Sequence, residues 1–279
     1  MSTIPHIRFY DGREAPCLGL GVWQVTDDEA VDVVGQALEM GYRSIDTAAI
    51  YDNEGGVGRA IAHSGLPRED LFITTKVWNT DHGHDAARTA FMSSLEKLGL
   101  DHVDLYLIHW PVPKTDLYIP TWEALIQLRD EGLAKSIGVC NFNRDHLEHL
   151  LDATGVMPVL NQIELHPLFQ QPALRSFHAE NGILTQAWSP LGQGRLLEHP
   201  LLLALAAKHA RSAAQIILRW HLQLGNMVIP KSVTRARQAE NMAVFDFELG
   251  EDDMQAIATL HTADGRLGPD PQRFRLPHH

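Results

Sequence analysis

Short apolar runs alternate with stretches whose apolar residues recur at helical spacing along almost the whole chain. Residues 18–21 form the first run. Thr26-Asp27-Asp28-Glu29 then makes a capping box ahead of Ala30, Val31, Val34, Ala37 and Leu38, with Gly41 as the stop. The rhythm repeats: 43–46 leads into a helix near 56–63, and 71–76 into one with Ala87, Ala90, Phe91, Ser94, Leu95 and Leu98 on one face. Residues 103–109 precede a helix over 122–131, where Pro120 suits the first turn, and 134–139 precede one capped by Asn143 and ended by Gly155. Runs at 159–163, 183–188 and 227–229 complete the strand candidates. Ahead of them, 7–13 carries an Asp11-Gly12 turn between alternating residues, a short hairpin. Eight strand-helix alternations with short connections predict an α/β fold, a closed (β/α)8 TIM barrel with an N-terminal β-hairpin. A doubly wound open sheet is the competing arrangement. With no linker and no composition shift, 1–279 is expected to be one domain.

Composition narrows the function. A hydrophobic share of 44% and a charged share of 21% suit a soluble protein with a substantial core. Lys and Arg total 23 against 35 acidic residues, and the resulting charge of −12 would repel a phosphate backbone. No nucleic-acid partner is expected, and an anionic cofactor needs a local basic cluster. Cys17 and Cys140 form no CxxC, the start has no secretory signal, and the apolar patch 201–207 is too short to span a bilayer. It reads as a buried helix face, and the chain as a cytoplasmic monomer. Gly19-x-Gly21 and Gly56-x-Gly58 fail the dinucleotide fingerprint, which needs a third glycine and a preceding strand. They read as tight turns and close packing. His146 with His149, and His82 with His84, read as solvated surface, so no metal is expected.

Chemistry concentrates where the apolar runs end. Lys76 closes 71–76 and His109 closes 103–109, while Asp46 closes 43–46 and Tyr51 follows it. Barrels of this kind place their reactive groups at strand carboxyl ends. An acid, a phenol, an ammonium and an imidazole meeting there would form a proton-donating site aimed at a carbonyl.

The chain resembles the aldo-keto reductase superfamily along nearly its whole length. The resemblance rests on Gly41-Tyr42-Arg43-Ser44-Ile45-Asp46-Thr47-Ala48, Tyr51 with Asn53-Glu54, Thr74-Thr75-Lys76-Val77-Trp78 and Leu107-Ile108-His109-Trp110-Pro111. It continues through Gly138-Val139-Cys140-Asn141-Phe142, Asn161-Gln162-Ile163-Glu164-Leu165-His166-Pro167, Ala187-Trp188-Ser189-Pro190-Leu191-Gly192 and Ile229-Pro230-Lys231-Ser232-Val233-Thr234. The segment after Pro111 and the tail from Gly265 to Pro271 are most similar to bacterial 2,5-diketo-D-gluconate reductases.

This resemblance implies NADPH-dependent reduction of small aldehydes and ketones, with 2,5-diketo-D-gluconate and α-dicarbonyls such as methylglyoxal as candidate substrates. Tyr51 would be the general acid, Lys76 would lower its pKa, Asp46 would keep Lys76 charged, and a neutral His109 would hold the carbonyl. At about 4 Å and an effective dielectric near 20 the attraction is roughly 4 kcal/mol. Desolvation opposes it, leaving an expected small net fall in the phenol pKa. Trp188 would lie under the nicotinamide, with Asn141 and Gln162 on the carboxamide; Cys140 stands where the commoner pattern has serine. Gly21, Val22, Trp23, Asp46, Ser189, Leu191 and Gln193 join the implied cofactor set. Lys231, Ser232, Thr234 and Arg237 would take the 2′-phosphate, with Val233 among the cofactor residues beside them, and Glu240 and Asn241 the adenine. Trp23, Trp78 and Trp110, with Tyr51 and His109, would line the substrate mouth. Two rivals remain: a Schiff-base lyase using Lys76, and a cofactor-sensing interaction protein with little turnover.

Overall fold

The computed structural model describes residues 4–274. Strands β1 (His6–Arg8) and β2 (Glu14–Pro16) pair antiparallel across the Asp11-Gly12 turn, the expected hairpin. Eight parallel strands follow in unbroken neighbour order: β3 (Leu20–Gly21), β4 (Ser44–Asp46), β5 (Phe72–Val77), β6 (Val103–Ile108), β7 (Ala134–Cys140), β8 (Leu160–Glu164), β9 (Leu184–Trp188) and β10 (Met227–Val228). Parallel bridges Leu18–Val228 and Gly21–Lys231 join the first of these to the last. The sheet therefore curls into a barrel, and the open-sheet alternative is excluded. At this seam the strands are shorter than the apolar runs because single bridges, not a continuous ladder, close it.

Helices α1 (Asp27–Met40), α2 (Glu54–Ser64), α3 (His84–Leu98), α4 (Tyr118–Asp130), α5 (Arg144–Thr154), α6 (Pro172–Glu180), α7 (Pro200–His209), α8 (Ala213–Gln223), α9 (Arg235–Met242) and α10 (Glu251–Ala258) surround the strands. The α1 capping box forms as expected, Thr26 Oγ1 accepting from the Glu29 amide at 3.3 Å and Glu29 Oε2 from the Thr26 amide at 3.1 Å. In α2 the glycines are packing devices: a Cβ on Gly56 would sit 1.9 Å from the Asp27 carbonyl and one on Gly58 2.3 Å from that of Leu98. In α7, Leu202, Leu205 and Ala206 are buried while Leu203 is exposed. Among the described residues no single helix is long and apolar enough to cross a membrane.

Alternation along each strand splits the core in two. Outward residues such as Ile45, Ile73, Tyr106 and Ile137 pack against the helices. Inward residues Phe72, Leu105, Leu107, Leu160 and Met227 fill the barrel, and the hairpin adds Phe9 and Ala15 to them. Each fully buried side chain of this kind contributes about 1.5–3 kcal/mol. The apolar plug occupies the lower barrel, so the next inward positions up the strands, at their carboxyl ends, are free to be polar.

Candidate active site

Parallel pairing brings Gly21, Asp46, Lys76, His109, Asn141, Gln162 and Trp188 to the carboxyl-end half of seven successive strands, on or next to β3 to β9. A cavity of about 550 Å³ opens there. Lys76 does not line it but is fully buried next to Asp46 and Tyr51, which do. Its Nζ donates to Asp46 Oδ1 at 2.5 Å and to the Thr47 carbonyl at 2.8 Å, and lies 5.0 Å from the Tyr51 ring centroid. Burial alone would depress the ammonium, but the Asp46 carboxylate and the Tyr51 hydroxyl hold its pKa above the ordinary lysine value.

Burial pushes the Tyr51 phenol up to about 12, and the nearby Lys76 charge recovers only part of the rise. This net rise corrects the fall expected from sequence, which revealed the cation but not the desolvation that the folded site imposes on the ring. Burial, then the Lys76 charge, holds His109 well below the ordinary imidazole value. It is neutral at physiological pH, and it meets Tyr51 and Trp78 edge-on at 5.6 and 5.1 Å. A protonated phenol beside a buried cation, with a neutral imidazole on the same wall, can give a proton to a bound oxygen and orient it.

Asn141 donates from Nδ2 to the His109 carbonyl at 3.0 Å and accepts from Trp188 Nε1 at 2.8 Å. Gln162 Nε2 gives one hydrogen to Asp46 Oδ2 and the other to Gln186 Oε1, both at 2.7 Å. The Cys140 thiol donates weakly to Gln162 Oε1 at 3.7 Å. Asn141, Ser189 and Gln193 have φ of 63°, 46° and 55°, left-handed backbone gathered on the cavity wall. Strain of this sort is held where a site needs it.

Trp23, Trp78, Trp110, Ser189, Gln193 and Lys231 also line the cavity. Val22 has its side chain buried in the core; its amide donates to the Asp46 carbonyl and its carbonyl accepts from Asn53. Leu191 likewise packs against the core. Ser232, Val233, Thr234, Arg237, Glu240 and Asn241 lie beyond the cavity wall, on the loop after β10 and on α9. There Arg235 pairs with Glu39 at 2.8 Å, whereas Lys231 and Arg237 form no ion pair among the described residues. Two histidine readings are corrected. His82 and His146 are buried; His149 is exposed as expected, though its Nδ1 is bonded to the Tyr118 hydroxyl at 2.6 Å, and His84 is half-exposed.

The tail adds wall residues that the sequence did not mark, Gly268, Pro269 and Phe274. Phe274 stacks on Trp110 at 4.4 Å and 11°. Glu164, buried at the end of β8, accepts the amides of Leu267 at 2.5 Å and Gly268 at 2.8 Å. A Cβ on Gly268 would fall 2.6 Å from the Trp188 ring, so only glycine lets the tail lie this close. Burial works against the Glu164 carboxylate, but His166 and the two amides outweigh it and hold its pKa below the ordinary value. Glu164→Gln, which turns an amide NH2 toward those donors, is expected to free the tail. The measurement is KM: about a tenfold rise for an aldehyde large enough to reach Phe274, with little change for a small one.

The Aldo/keto reductase family model matches residues 17–261. An aldo-keto reductase of Mycolicibacterium smegmatis is 53% identical over 272 residues, covering 98% of each chain. Methylglyoxal reductase DkgA of Escherichia coli is 53% identical over 270 residues, 96% of this chain and 97% of that one. Among solved structures, a Gox0644 mutant in complex with NADPH superposes with a TM-score of 0.95 at 48% identity, covering 99% of this chain and 100% of the other.

Proposed function

The chain belongs to the aldo/keto reductase family, and from that premise we propose that it reduces small aldehydes and ketones to alcohols with NADPH, Tyr51 giving the proton. The observation that carries the reading is the buried run from Asp46 through Lys76 to Tyr51 at the cavity floor. Bound NADPH supplies the hydride. The residues fit such a guest: Trp188 offers a flat indole, while Asn141 keeps one amide hydrogen and Gln162 one carbonyl lone pair for a carboxamide. Lys231, on the loop before α9, and Arg237, in its first turn, form no ion pair among the described residues and suit an anion at a helix N-terminus.

Charge grows on the carbonyl oxygen as hydride adds to carbon, and an alkoxide in this dry site would be costly. The Tyr51 hydroxyl supplies the proton that prevents it. Lys76 stabilises the phenolate left behind, Asp46 keeps Lys76 protonated, and neutral His109 fixes the carbonyl's approach. Walls of Trp23, Trp78, Trp110 and Phe274 with few fixed polar groups suit varied small carbonyls, α-dicarbonyls included. Methylglyoxal, for which the Escherichia coli relative is named, is the first substrate to try. The working form is a single-domain cytoplasmic monomer.

A Schiff base on Lys76 would need a neutral amine, and the Asp46 contact opposes that. Initial rates with simple aldehydes, methylglyoxal and keto acids, each with NADPH and NADH, test the reading; absence of NADPH oxidation across the panel would sink it. Removing the basic pair, Lys231→Ala with Arg237→Ala, is expected to weaken NADPH about a hundredfold, each charge-assisted contact being worth about tenfold, while NADH changes little. Equal loss for both cofactors would assign the pair another role.

A further inference from the structure

Barrel register puts three polar side chains in one row. Cys140 pairs with Gln162 across β7–β8, and Gln162 pairs with Gln186 across β8–β9. Directly paired residues face the same side of a sheet, here the barrel interior. One position further, Gln186 pairs with Met227, where the row turns apolar. Gln186 is buried, and its Oε1 accepts one of the two amide hydrogens of Gln162 at 2.7 Å. The other hydrogen goes to Asp46 Oδ2 at 2.7 Å, leaving Asp46 Oδ1 for Lys76 at 2.5 Å.

We propose that Gln186 is a positioning residue for proton transfer, acting through Gln162 on Asp46 and so on Lys76 and Tyr51. Its carbonyl fixes the plane of the Gln162 amide, and that plane sets which Asp46 oxygen is left for the ammonium. The weak Cys140 contact at the other end of the same amide cannot do this, because a thiol at 3.7 Å exerts little orienting force. Gln162 is thereby tied to the proton donor's support as well as standing beside the cofactor cavity. This inference rests on the reading of Tyr51 as the proton donor.

The test compares Gln186→Met, which keeps length and loses the acceptor, with Gln186→Glu, which keeps an acceptor oxygen in either protonation state. Carbonyl reduction by Q186M should fall about tenfold in kcat, the size of one buried hydrogen bond. Its alkaline limb should move to lower pH, because a poorly held Asp46 keeps Lys76 protonated less firmly. NADPH affinity, read by protein fluorescence, should change less than kcat, and Q186E should restore most of the rate and return the limb. An unchanged limb in Q186M, a loss confined to NADPH affinity, or a Q186E as impaired as Q186M would each overturn the assignment. If Q186M does not fold, Gln186→Ala takes its place in the same comparison. Wild-type protein lacking carbonyl reduction would overturn the functional reading itself, whereas an active wild type with an unaltered Q186M overturns only the role of Gln186.

Discussion

Tyr51→Phe is expected to lower carbonyl reduction by a factor on the order of 10²–10⁴, with NADPH binding retained. The phenyl ring keeps the packing against His109 and Lys76, so the cavity keeps its shape. What disappears is the one hydroxyl placed to give a proton. His109 cannot replace it: held neutral by burial and by Lys76, it is a far weaker acid than an imidazolium. Nor can Lys76 substitute readily, since Asp46 and the Thr47 carbonyl hold two of its three hydrogens and the Asp46 carboxylate keeps it charged. The same values give a pH expectation. With the phenol near 12 and His109 uncharged, neither group titrates between about pH 6.5 and pH 9, so the reduction rate should be level across that window. Single-turnover reduction beside an NADPH titration separates chemistry from binding. A variant retaining more than about a tenth of the rate would show that the proton comes from elsewhere.

The parts of this site visible in the sequence share a reason. Asp46, Lys76 and His109 each follow an apolar run, and parallel strands turn that pattern into a common location. Contacts made by loops and tail carry no such periodic mark. Glu164 meets Leu267 and Gly268 across 103 and 104 residues. His146 looked like helix surface because its cover, Gln272 at 3.0 Å, lies 126 residues away. Gln186 carries no mark of its own inside an ordinary strand, since its meaning comes from the register with Gln162. The direction of the Tyr51 shift is not legible for a related reason: charge can be counted along a chain, whereas desolvation exists only once the chain has folded.

Acid should destabilise this fold earlier than its carboxylates alone would allow. Burial holds His82 down to about 4, and His178 and His221 each to about 3, against an ordinary value of 6.5. His178 shows why. Asn161 Nδ2 donates to its Nε2 at 3.0 Å, while its Nδ1 bonds the Thr185 hydroxyl at 2.9 Å. A second ring proton would face the Asn161 donor in a fully buried position. Below pH 6.5 the unfolded chain takes up protons that these folded imidazoles refuse, so stability falls with falling pH, from 6.5 down to each folded value. One pH unit below the ordinary value, each group costs about 1.4 kcal/mol, and three cost about 4 kcal/mol. Carboxylates with lowered values, such as Glu164, lose their contribution only below their ordinary 4.5, a separate window. With His109 held down as well, urea unfolding at about pH 7.5 and about pH 5.5 should differ by at least about 4 kcal/mol, and His178→Gln should remove about 1.4 kcal/mol of that dependence whatever it does to stability at the higher pH. A difference under about 1 kcal/mol would mean that these imidazoles accept protons inside the fold.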